Sequence, residues 1–376
     1  MNQHIQVRVT NRIGVISLDR PKALNSLSLE MVRTLTQALL AWRNDPGVSA
    51  VVIGSTSEKA FCAGGDIRFF HERGKAASQG GNALLEDFFT EEYSLNYLIH
   101  QYPKPYIALM NGIVMGGGMG IAQCASAGRV RIVMENTRIA MPEVHIGLFP
   151  DVGGSYFLSR TPGHIGAYLG VTGTTIGAAD AIYAGLADVF VPAAQLPALM
   201  EILESAAAVR IRDAILAFAA PFGKQGDPAE SMLAKHRNLI DRHFAANNIR
   251  AVIAGLTQET CPFSLNTVAL MRQRSPLMMC VALEQIHRGA AMSFAECLRM
   301  ERTMVRRCFE HGEVLEGVRA RVIDKDNMPH WSPATVENVT AEMISSFFDS
   351  AWPAYAHPLR ELGQEESGIH GSNEEN

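Results

Sequence analysis

Two glycine-rich segments, each placed after an apolar run typical of a β-strand, constrain the fold of this chain most. The first, residues 59–67, follows the strand-like run 50–53, and the second, residues 115–120, follows the run 106–110. Because glycine has no side chain, such an elbow lets the backbone approach a ligand closely with its N–H groups directed inward. The sequence therefore predicts two backbone elbows that face a bound ligand, and two such N–H groups would form an oxyanion hole.

Strand-like and helical patterns alternate through the first half of the chain. Apolar alternation begins at residues 5–18, and Ser28 can cap a helix whose apolar residues recur at helical spacing up to Trp42. Further strand-like runs occupy residues 50–53, 106–110, 130–133 and 139–141. This alternation predicts an α/β fold.

Helical spacing dominates beyond Pro192. Ser293 and Glu296 have capping-box spacing, and the Gly- and Pro-rich segment 222–228 predicts a hinge or surface excursion. Helices are predicted over residues 193–209, 211–219, 228–244, 249–256, 264–274 and 293–308. We therefore divide the chain into a core over 1–192 with the ligand site and catalytic loop, a helical C-terminal region over 193–362, and a polar, disordered tail over 363–376.

Two carboxylates lie in an otherwise apolar segment, residues 141–154, that glycine and proline interrupt. Proline lacks a backbone donor and glycine permits unusual dihedral angles, so Glu143 and Asp151 are expected on a turning loop rather than on one helix face. A buried pair of acids is costly and therefore usually has a function. Either acid alone would fit a helix cap or a surface turn, but together with the elbows they predict a catalytic pocket.

Together these segments resemble the crotonase (enoyl-CoA hydratase/isomerase) superfamily, and residues 141–143 with 149–154 resemble its 3-hydroxyisobutyryl-CoA hydrolase branch. The resemblance spans nearly the whole chain. It also includes residues 20–25, 91–93, 311–312, 316–320 and 323–326. It implies a crotonase-like spiral of strand-strand-helix units and an acyl-CoA substrate, so that coenzyme A is part of the substrate and no separate cofactor is expected.

The composition excludes several other classes of protein. The 376 residues carry a formal net charge of −5, which leaves no basic footprint for nucleic acid. No apolar run has the length of a transmembrane helix, and no leader or transit segment opens the chain, so a cytoplasmic protein without membrane contact is predicted. The cysteines form no Cys-x-x-Cys pair and are predicted to be buried thiols rather than metal ligands. They are Cys62, Cys124, Cys261, Cys280, Cys297 and Cys308.

The resemblance implies a role for each residue of the pocket. The backbone N–H groups of Gly65 and Gly117 would receive the negative charge on the thioester oxygen. Glu143 would attack the carbonyl to give a mixed anhydride or activate a water molecule, and the sequence leaves both routes open. Asp151 would bind the hydroxyl of the acyl group or deliver a proton to departing CoA, and we favour hydroxyl recognition. Glu92 would line the same pocket.

One departure from the hydratase pattern separates the reactions of the superfamily. Hydratases carry a second glutamate just after the triple glycine, where this chain has Gly120. Hydrolysis of a short-chain 3-hydroxyacyl-CoA, foremost 3-hydroxyisobutyryl-CoA in valine breakdown, is therefore predicted ahead of hydration or isomerisation. A non-catalytic acyl-CoA-binding protein is a third alternative, which the presence of all three acids disfavours.

The resemblance also places the contacts with CoA in two short segments. The segments contribute Lys22, Ala23, Leu24 and Asn25, then Ala63, Asp66 and Ile67. Most of these contacts would use backbone atoms, and Lys22 would meet a phosphate or stay a solvated turn residue. Family members commonly trimerise, so the resemblance implies a homo-oligomer unless the long C-terminal region replaces a neighbour's contribution.

Several residues invite other chemistry and are set aside. His145 lies between the two acids, but a single loop histidine is more often packed or solvated. Cys62 is interpreted as a small core residue because no histidine partner is evident. Ser155 lacks the Gly-x-Ser-x-Gly pattern of a nucleophile elbow, and the glycines at 116–120 do not match the spacing of a dinucleotide-binding motif.

Overall fold

A computed structural model describes residues 3–76, 82–123, 128–205 and 210–364. The nine strands in these ranges are β1 Ile5–Thr10, β2 Ile13–Leu18, β3 Ala50–Ser55, β4 Ala60–Cys62, β5 Tyr106–Met110, β6 Ile113–Met115, β7 Val130–Val133, β8 Arg138–Ala140 and β9 Val189–Phe190. All strand-like runs of the sequence are confirmed as strands.

Seventeen α-helices lie in the same ranges. The helices of the first half are α1 Leu29–Arg43, α2 Ile67–Lys75, α3 Ala83–His100, α4 Gly117–Ala122, α5 Gly154–Ser159, α6 Ile165–Thr172 and α7 Ala178–Tyr183. Those of the second half are α8 Leu196–Ser205, α9 Ile211–Ala219, α10 Met232–Lys235, α11 Arg237–Phe244, α12 Ile249–Gln258, α13 Pro262–Met271, α14 Pro276–Gly289, α15 Phe294–His311, α16 Glu313–Val318 and α17 Ala341–Ser346.

Successive strand pairs are divided between two sheets. A six-stranded sheet has the order β1-β2-β3-β5-β7-β9, and a three-stranded sheet has the order β4-β6-β8. Only the β1–β2 pair is antiparallel among these. Each turn of the chain therefore adds one strand to the large sheet and the next strand to the small sheet, which is the spiral of strand-strand-helix units that the family resemblance implies.

Local capping signals fix the ends of two long helices. The Ser28 side chain accepts a hydrogen bond from the Met31 amide at the start of α1, as predicted. Ser293 and Glu296 form the predicted capping box at the start of α15. The predicted helix 228–244 is instead interrupted, because Ser231 and His236 end one short helix and begin the next.

Helix α14 has no counterpart among the predicted elements. Its first eight residues, 276–283, are all buried and show no polar face, and the partly exposed pair Glu284 and Arg288 comes only in its second half. It contacts α5 and α6 of the core, and a buried helix of this kind cannot be separated from other apolar runs by periodicity alone.

The C-terminal helices pack directly on the loop that carries the two acids. A Cβ atom built on Gly147 would lie 2.4 Å from the Glu313 carbonyl oxygen, and one built on Gly317 would lie 2.3 Å from the Ile146 carbonyl oxygen. The two backbones therefore touch, and glycine is required on both sides of the contact.

Most cysteines are buried, as predicted. Cys62, Cys280, Cys297 and Cys308 are buried and reduced, whereas Cys261 is partly exposed. Cys124, the end of the predicted helix 193–209 and most of the predicted tail lie outside the described residues. Within the described ranges, every helix is too short or too polar to cross a bilayer.

Replacement of Gly317 by alanine should lower the free energy of unfolding by about 1–3 kcal/mol, because the added methyl group meets backbone atoms that cannot rotate away. Urea denaturation gives the value. Gly223→Ala is the matched control, since no atom lies within 4 Å of a Cβ built there, and a change below about 0.5 kcal/mol is expected. Equal stability of the Gly317→Ala variant and the parent would contradict the contact.

Candidate active site

A cavity of about 270 Å³ lies where the three strands of the small sheet end. The elbow after β4, the elbow after β6 and the loop after β8 all contribute to its wall. The apolar lining consists of Ile67, Phe70, Phe89, Met115, Ile146, Leu148 and Val152, and the ionisable lining of Glu92, Glu143, His145, Asp151 and Arg321. An apolar pocket with a few convergent polar groups is the usual form of a small-molecule site.

The two predicted elbows lie against each other. A Cβ atom built on Gly64 would lie 3.6 Å from the Gly117 amide nitrogen, and one built on Gly117 would lie 3.4 Å from the Gly65 amide nitrogen. Gly64 and Gly116 both have positive φ angles, of 102° and 50°, which favour glycine. Within the described ranges, the N–H groups of Gly65 and Gly117 donate to no protein acceptor, so both remain available to a ligand.

Glu143 begins a 3-10 turn directly after β8 and is buried. A Cβ atom built on Gly116 would lie 2.8 Å from its Oε1 atom, which places the carboxylate beside the second elbow. Its Oε2 atom has no hydrogen-bond partner among the residues described. Burial raises the pKa of Glu143 well above its ordinary value, and the charge of Asp151 raises it further.

Asp151 is the second buried acid of the loop, and the Tyr93 hydroxyl donates a hydrogen bond of 2.7 Å to its Oδ2 atom. Burial raises the pKa of Asp151 to about 6, although the hydrogen bond from Tyr93 acts in the opposite direction. Near neutral pH this carboxyl group therefore exists in both protonation states, which is typical of functional sites.

Glu92 projects from α3 into the same cavity. A Cβ atom built on Gly117 would lie 2.6 Å from its Oε1 atom, which lacks a partner in the described part of the chain. Burial raises the pKa of Glu92 well above its ordinary value, and Asp151 adds to the shift. The structure thus brings together all four residues predicted to be catalytic and the predicted acid ahead of the second elbow.

The remaining predicted ligand contacts lie around the first elbow. Ala63 and Ile67 line the cavity. Lys22 and Leu24 are exposed and Ala23 is half-buried, on the turn beside the elbow. The Leu24 carbonyl accepts a hydrogen bond from the Ala63 amide, which joins this turn to the elbow. Their contacts with CoA stay predictions.

Asn25 and Asp66 use their side chains within the protein. Asn25 is fully buried, and its amide donates to Ser55 and to two main-chain carbonyls of β4. Asp66 caps α2 and forms an ion pair with Arg20, with 2.8 Å between its Oδ2 atom and the guanidinium nitrogen. A ligand contact at either position would therefore use the backbone, because these side-chain atoms already hold the elbow in place.

The position of the missing hydratase glutamate is closed. A Cβ atom built on Gly120 would lie 2.7 Å from Asn96 Nδ2 and 2.7 Å from the Cβ of Val152. Both neighbours are buried. A glutamate side chain therefore does not fit at residue 120 in this packing.

Other residues of the site were not predicted from the sequence. Tyr93 donates a hydrogen bond to Asp151, and Arg321 lines the cavity. Phe70 and Phe89 form an aromatic wall with ring centroids 4.9 Å apart. Glu301 is fully buried on α15, where burial raises its pKa to about 8 against hydrogen bonds from Ser155 and Gly153. The signal that could have revealed Glu301 is a charged residue within the apolar stripe of α15.

His145 and Cys62 have environments that suit a packing role. The His145 ring bonds to the Thr172 carbonyl at 3.3 Å, and burial lowers its pKa to about 3. Burial raises the pKa of the Cys62 thiol to about 12, which disfavours the thiolate that a nucleophile needs.

Comparison with known proteins identifies the family of this chain. Residues 13–348 match the family described as enoyl-CoA hydratase/isomerase, and the chain belongs to this family. It is 40% identical over 341 residues to the mitochondrial 3-hydroxyisobutyryl-CoA hydrolase of Xenopus tropicalis, covering 90% of this chain and 86% of that protein. The corresponding hydrolase of Homo sapiens is 37% identical over 340 residues, with the same coverage.

Solved structures agree on the fold but carry other names. A carnitinyl-CoA dehydratase from Mycobacterium thermoresistibile is 37% identical with a TM-score of 0.85, over 94% of this chain and 98% of that chain. An enoyl-CoA hydratase from Rhodobacter sphaeroides is 38% identical with a TM-score of 0.82, over 93% and 98%. The prediction of a cytoplasmic location is wrong, because the curated hydrolases are mitochondrial.

Asp151→Asn is expected to raise the free energy of unfolding by about 1–3 kcal/mol near pH 7.5. The native pKa of Asp151, about 6, lies above the ordinary 3.8, so the stabilisation that this group contributes is complete below about pH 4 and lost as the pH rises through about 6. The gain in the variant should therefore shrink as the pH falls, which urea denaturation across pH would measure.

Asp19→Asn is the control with the opposite sign. Hydrogen bonds from Thr56 and Gln6 lower the pKa of Asp19, so this substitution should destabilise the protein at neutral pH and matter less in acid. A stability difference between parent and Asp151→Asn that does not vary with pH would contradict the assigned pKa of Asp151.

Proposed function

We propose that this protein hydrolyses short-chain 3-hydroxyacyl-CoA thioesters, foremost 3-hydroxyisobutyryl-CoA to 3-hydroxyisobutyrate and CoA. The observation that carries the proposal is the buried carboxylate of Glu143, whose Oε2 atom is unpartnered among the described residues, beside two free elbow amides, with no space for a second glutamate at Gly120. The curated relatives at 37–40% identity are hydrolases of this thioester, which supports the same reaction here.

The chemistry begins at the thioester carbonyl. The N–H groups of Gly65 and Gly117 stabilise the negative charge that develops on its oxygen when the carbon is attacked. Glu143 acts by one of two routes. Its carboxylate attacks the carbon and expels the CoA thiolate, giving a mixed anhydride that water then hydrolyses, or it removes a proton from a water molecule that attacks directly. A raised pKa makes the Glu143 carboxylate, once it has lost its proton, a stronger nucleophile and base for either route.

Asp151 is proposed to recognise the hydroxyl group of the acyl chain. Its Oδ2 atom already accepts from Tyr93, so Oδ1 remains for the substrate hydroxyl, and a carboxylate is a strong acceptor for such a donor. Delivery of a proton to the departing thiolate is the alternative role. Glu92, whose raised pKa favours the protonated form, adds a donor on the same wall.

Hydration of an enoyl-CoA is the second candidate, since the similar solved structures are named hydratase and dehydratase. The closed position at Gly120 argues against the two-glutamate mechanism of hydration. A non-catalytic acyl-CoA-binding role is disfavoured by the retained acids. We also propose that CoA enters as part of the substrate, that the reaction serves valine breakdown, and that oligomerisation, where it occurs, follows the family.

A free-thiol release assay across a panel of acyl-CoAs, run beside a spectrophotometric hydration assay, tests the proposal. Release of CoA fastest from 3-hydroxyisobutyryl-CoA is expected. Glu143→Gln should lower kcat by about 100- to 10,000-fold while leaving ligand affinity nearly unchanged, because it removes the reacting carboxylate at constant shape.

Glu58→Gln is the control, since Glu58 is exposed and does not line the cavity. Hydration without CoA release would refute the hydrolase and favour the second candidate. Full turnover in Glu143→Gln would remove that residue from its role.

Asp151→Asn should reduce kcat/KM for 3-hydroxyisobutyryl-CoA more than for isobutyryl-CoA, by about 10-fold in the ratio, because the lost charge weakens a hydrogen bond that only the hydroxylated substrate makes. Steady-state kinetics on the two thioesters gives this ratio. Equal losses on both substrates would favour the proton-delivery role instead.

A further inference from the structure

The geometry points to Glu301, on the C-terminal helix α15, as the residue that positions Asp151 for catalysis. This inference rests on the hydrolase proposed above. Glu301 is fully buried and does not line the cavity. Its role is therefore to hold the turn that follows Asp151, not to touch the substrate.

Three hydrogen bonds join the Glu301 carboxylate to this turn. The Gly153 amide donates to Oε2 at 2.7 Å, and the Ser155 amide and hydroxyl donate to Oε1 at 2.9 and 2.6 Å. Both oxygens of the carboxylate thus accept hydrogen bonds from Gly153 and Ser155, which lie two and four residues after Asp151. One buried side chain therefore fixes the positions of Gly153 and Ser155 relative to each other.

The turn needs such support because its backbone is strained. Val152 has a φ angle of 53° and Gly153 one of 89°. A β-branched residue with positive φ is a true conformational outlier, which persists only where surrounding contacts impose it. Since Val152 directly follows Asp151, relaxation of this residue would redirect the Asp151 side chain.

A second side chain of the C-terminal region, Gln285, also holds this turn, and Glu301 and Gln285 together form a clamp around Asp151. Gln285 of α14 donates from Nε2 to the Pro150 carbonyl and to the Ser155 hydroxyl, the latter at 2.8 Å. The Ser155 hydroxyl accepts from Gln285 and donates to Glu301, so the residues on both sides of Asp151 are tied to one hydrogen-bond chain. Tyr93 fixes the Asp151 carboxylate itself.

A double-mutant cycle between Glu301 and Asp151 tests the inference. Glu301→Gln keeps the shape, but its NH₂ group cannot accept, so one turn donor loses its acceptor. Displacement of a catalytic group by about 1 Å can cost about 100-fold, and we expect kcat/KM for 3-hydroxyisobutyryl-CoA to fall about 10- to 100-fold. In the Asp151→Asn background the same substitution should cost less than about threefold, because it acts through Asp151.

Glu310→Gln is the matched control. It makes the same change on the same helix, and Glu310 is exposed, where it pairs with Arg306 and Arg307. Its kcat/KM should equal that of the parent. Ser155→Ala removes one donor from the clamp and should show a smaller loss that also disappears in the Asp151→Asn background, which keeps the test available if Glu301→Gln does not fold.

The two hypotheses fail in different ways. If Glu301→Gln and Ser155→Ala lower kcat/KM equally in the parent and in the Asp151→Asn background, or not at all, the positioning role is overturned while hydrolysis stands. If the parent releases no CoA from any thioester of the panel, the proposed function fails and the positioning role fails with it.

Discussion

The alignment of three short parallel strands is the constraint on which the rest of the site depends. Strands β4, β6 and β8 pair in parallel, so their carboxyl ends meet at one edge of the small sheet. Gly65, Gly117 and Glu143 each lie within three residues of the end of one of these strands. The pairing of the sheet thereby places two backbone amides and one carboxylate around one cavity, and a slipped strand would separate them.

Such a site carries an energetic cost that the surrounding fold must offset. Glu92, Glu143, Asp151 and Glu301 are all buried, and burial raises the pKa of each. Mutual repulsion adds to this cost, because the charge of Asp151 raises the pKa of the other three. Active sites commonly sacrifice stability in this way. Here the same raised pKa values suit acids that exchange protons with a substrate.

Local signals in the sequence predicted much of the architecture, whereas side-chain contacts between distant parts of the chain could not be predicted. Ser28 and the elbows could be recognised because a cap or a glycine acts on its own neighbours. Asn25 was predicted to contact CoA, but no sequence pattern reveals that its amide is consumed by carbonyls 35 and 36 residues away. Helix α14 was missed because its first eight residues, 276–283, are all buried and show no polar face.

The C-terminal helices complete the catalytic loop rather than merely extend the fold. Gln285 and Glu301 hold the turn after Pro150 from more than 130 residues further along the chain, and the backbones of Gly147 and Gly317 contact α16 and the catalytic loop, respectively. A loop rich in glycine and proline has little structure of its own. Its acids can be directed into the cavity only because packing from the second half of the chain selects one of its many conformations.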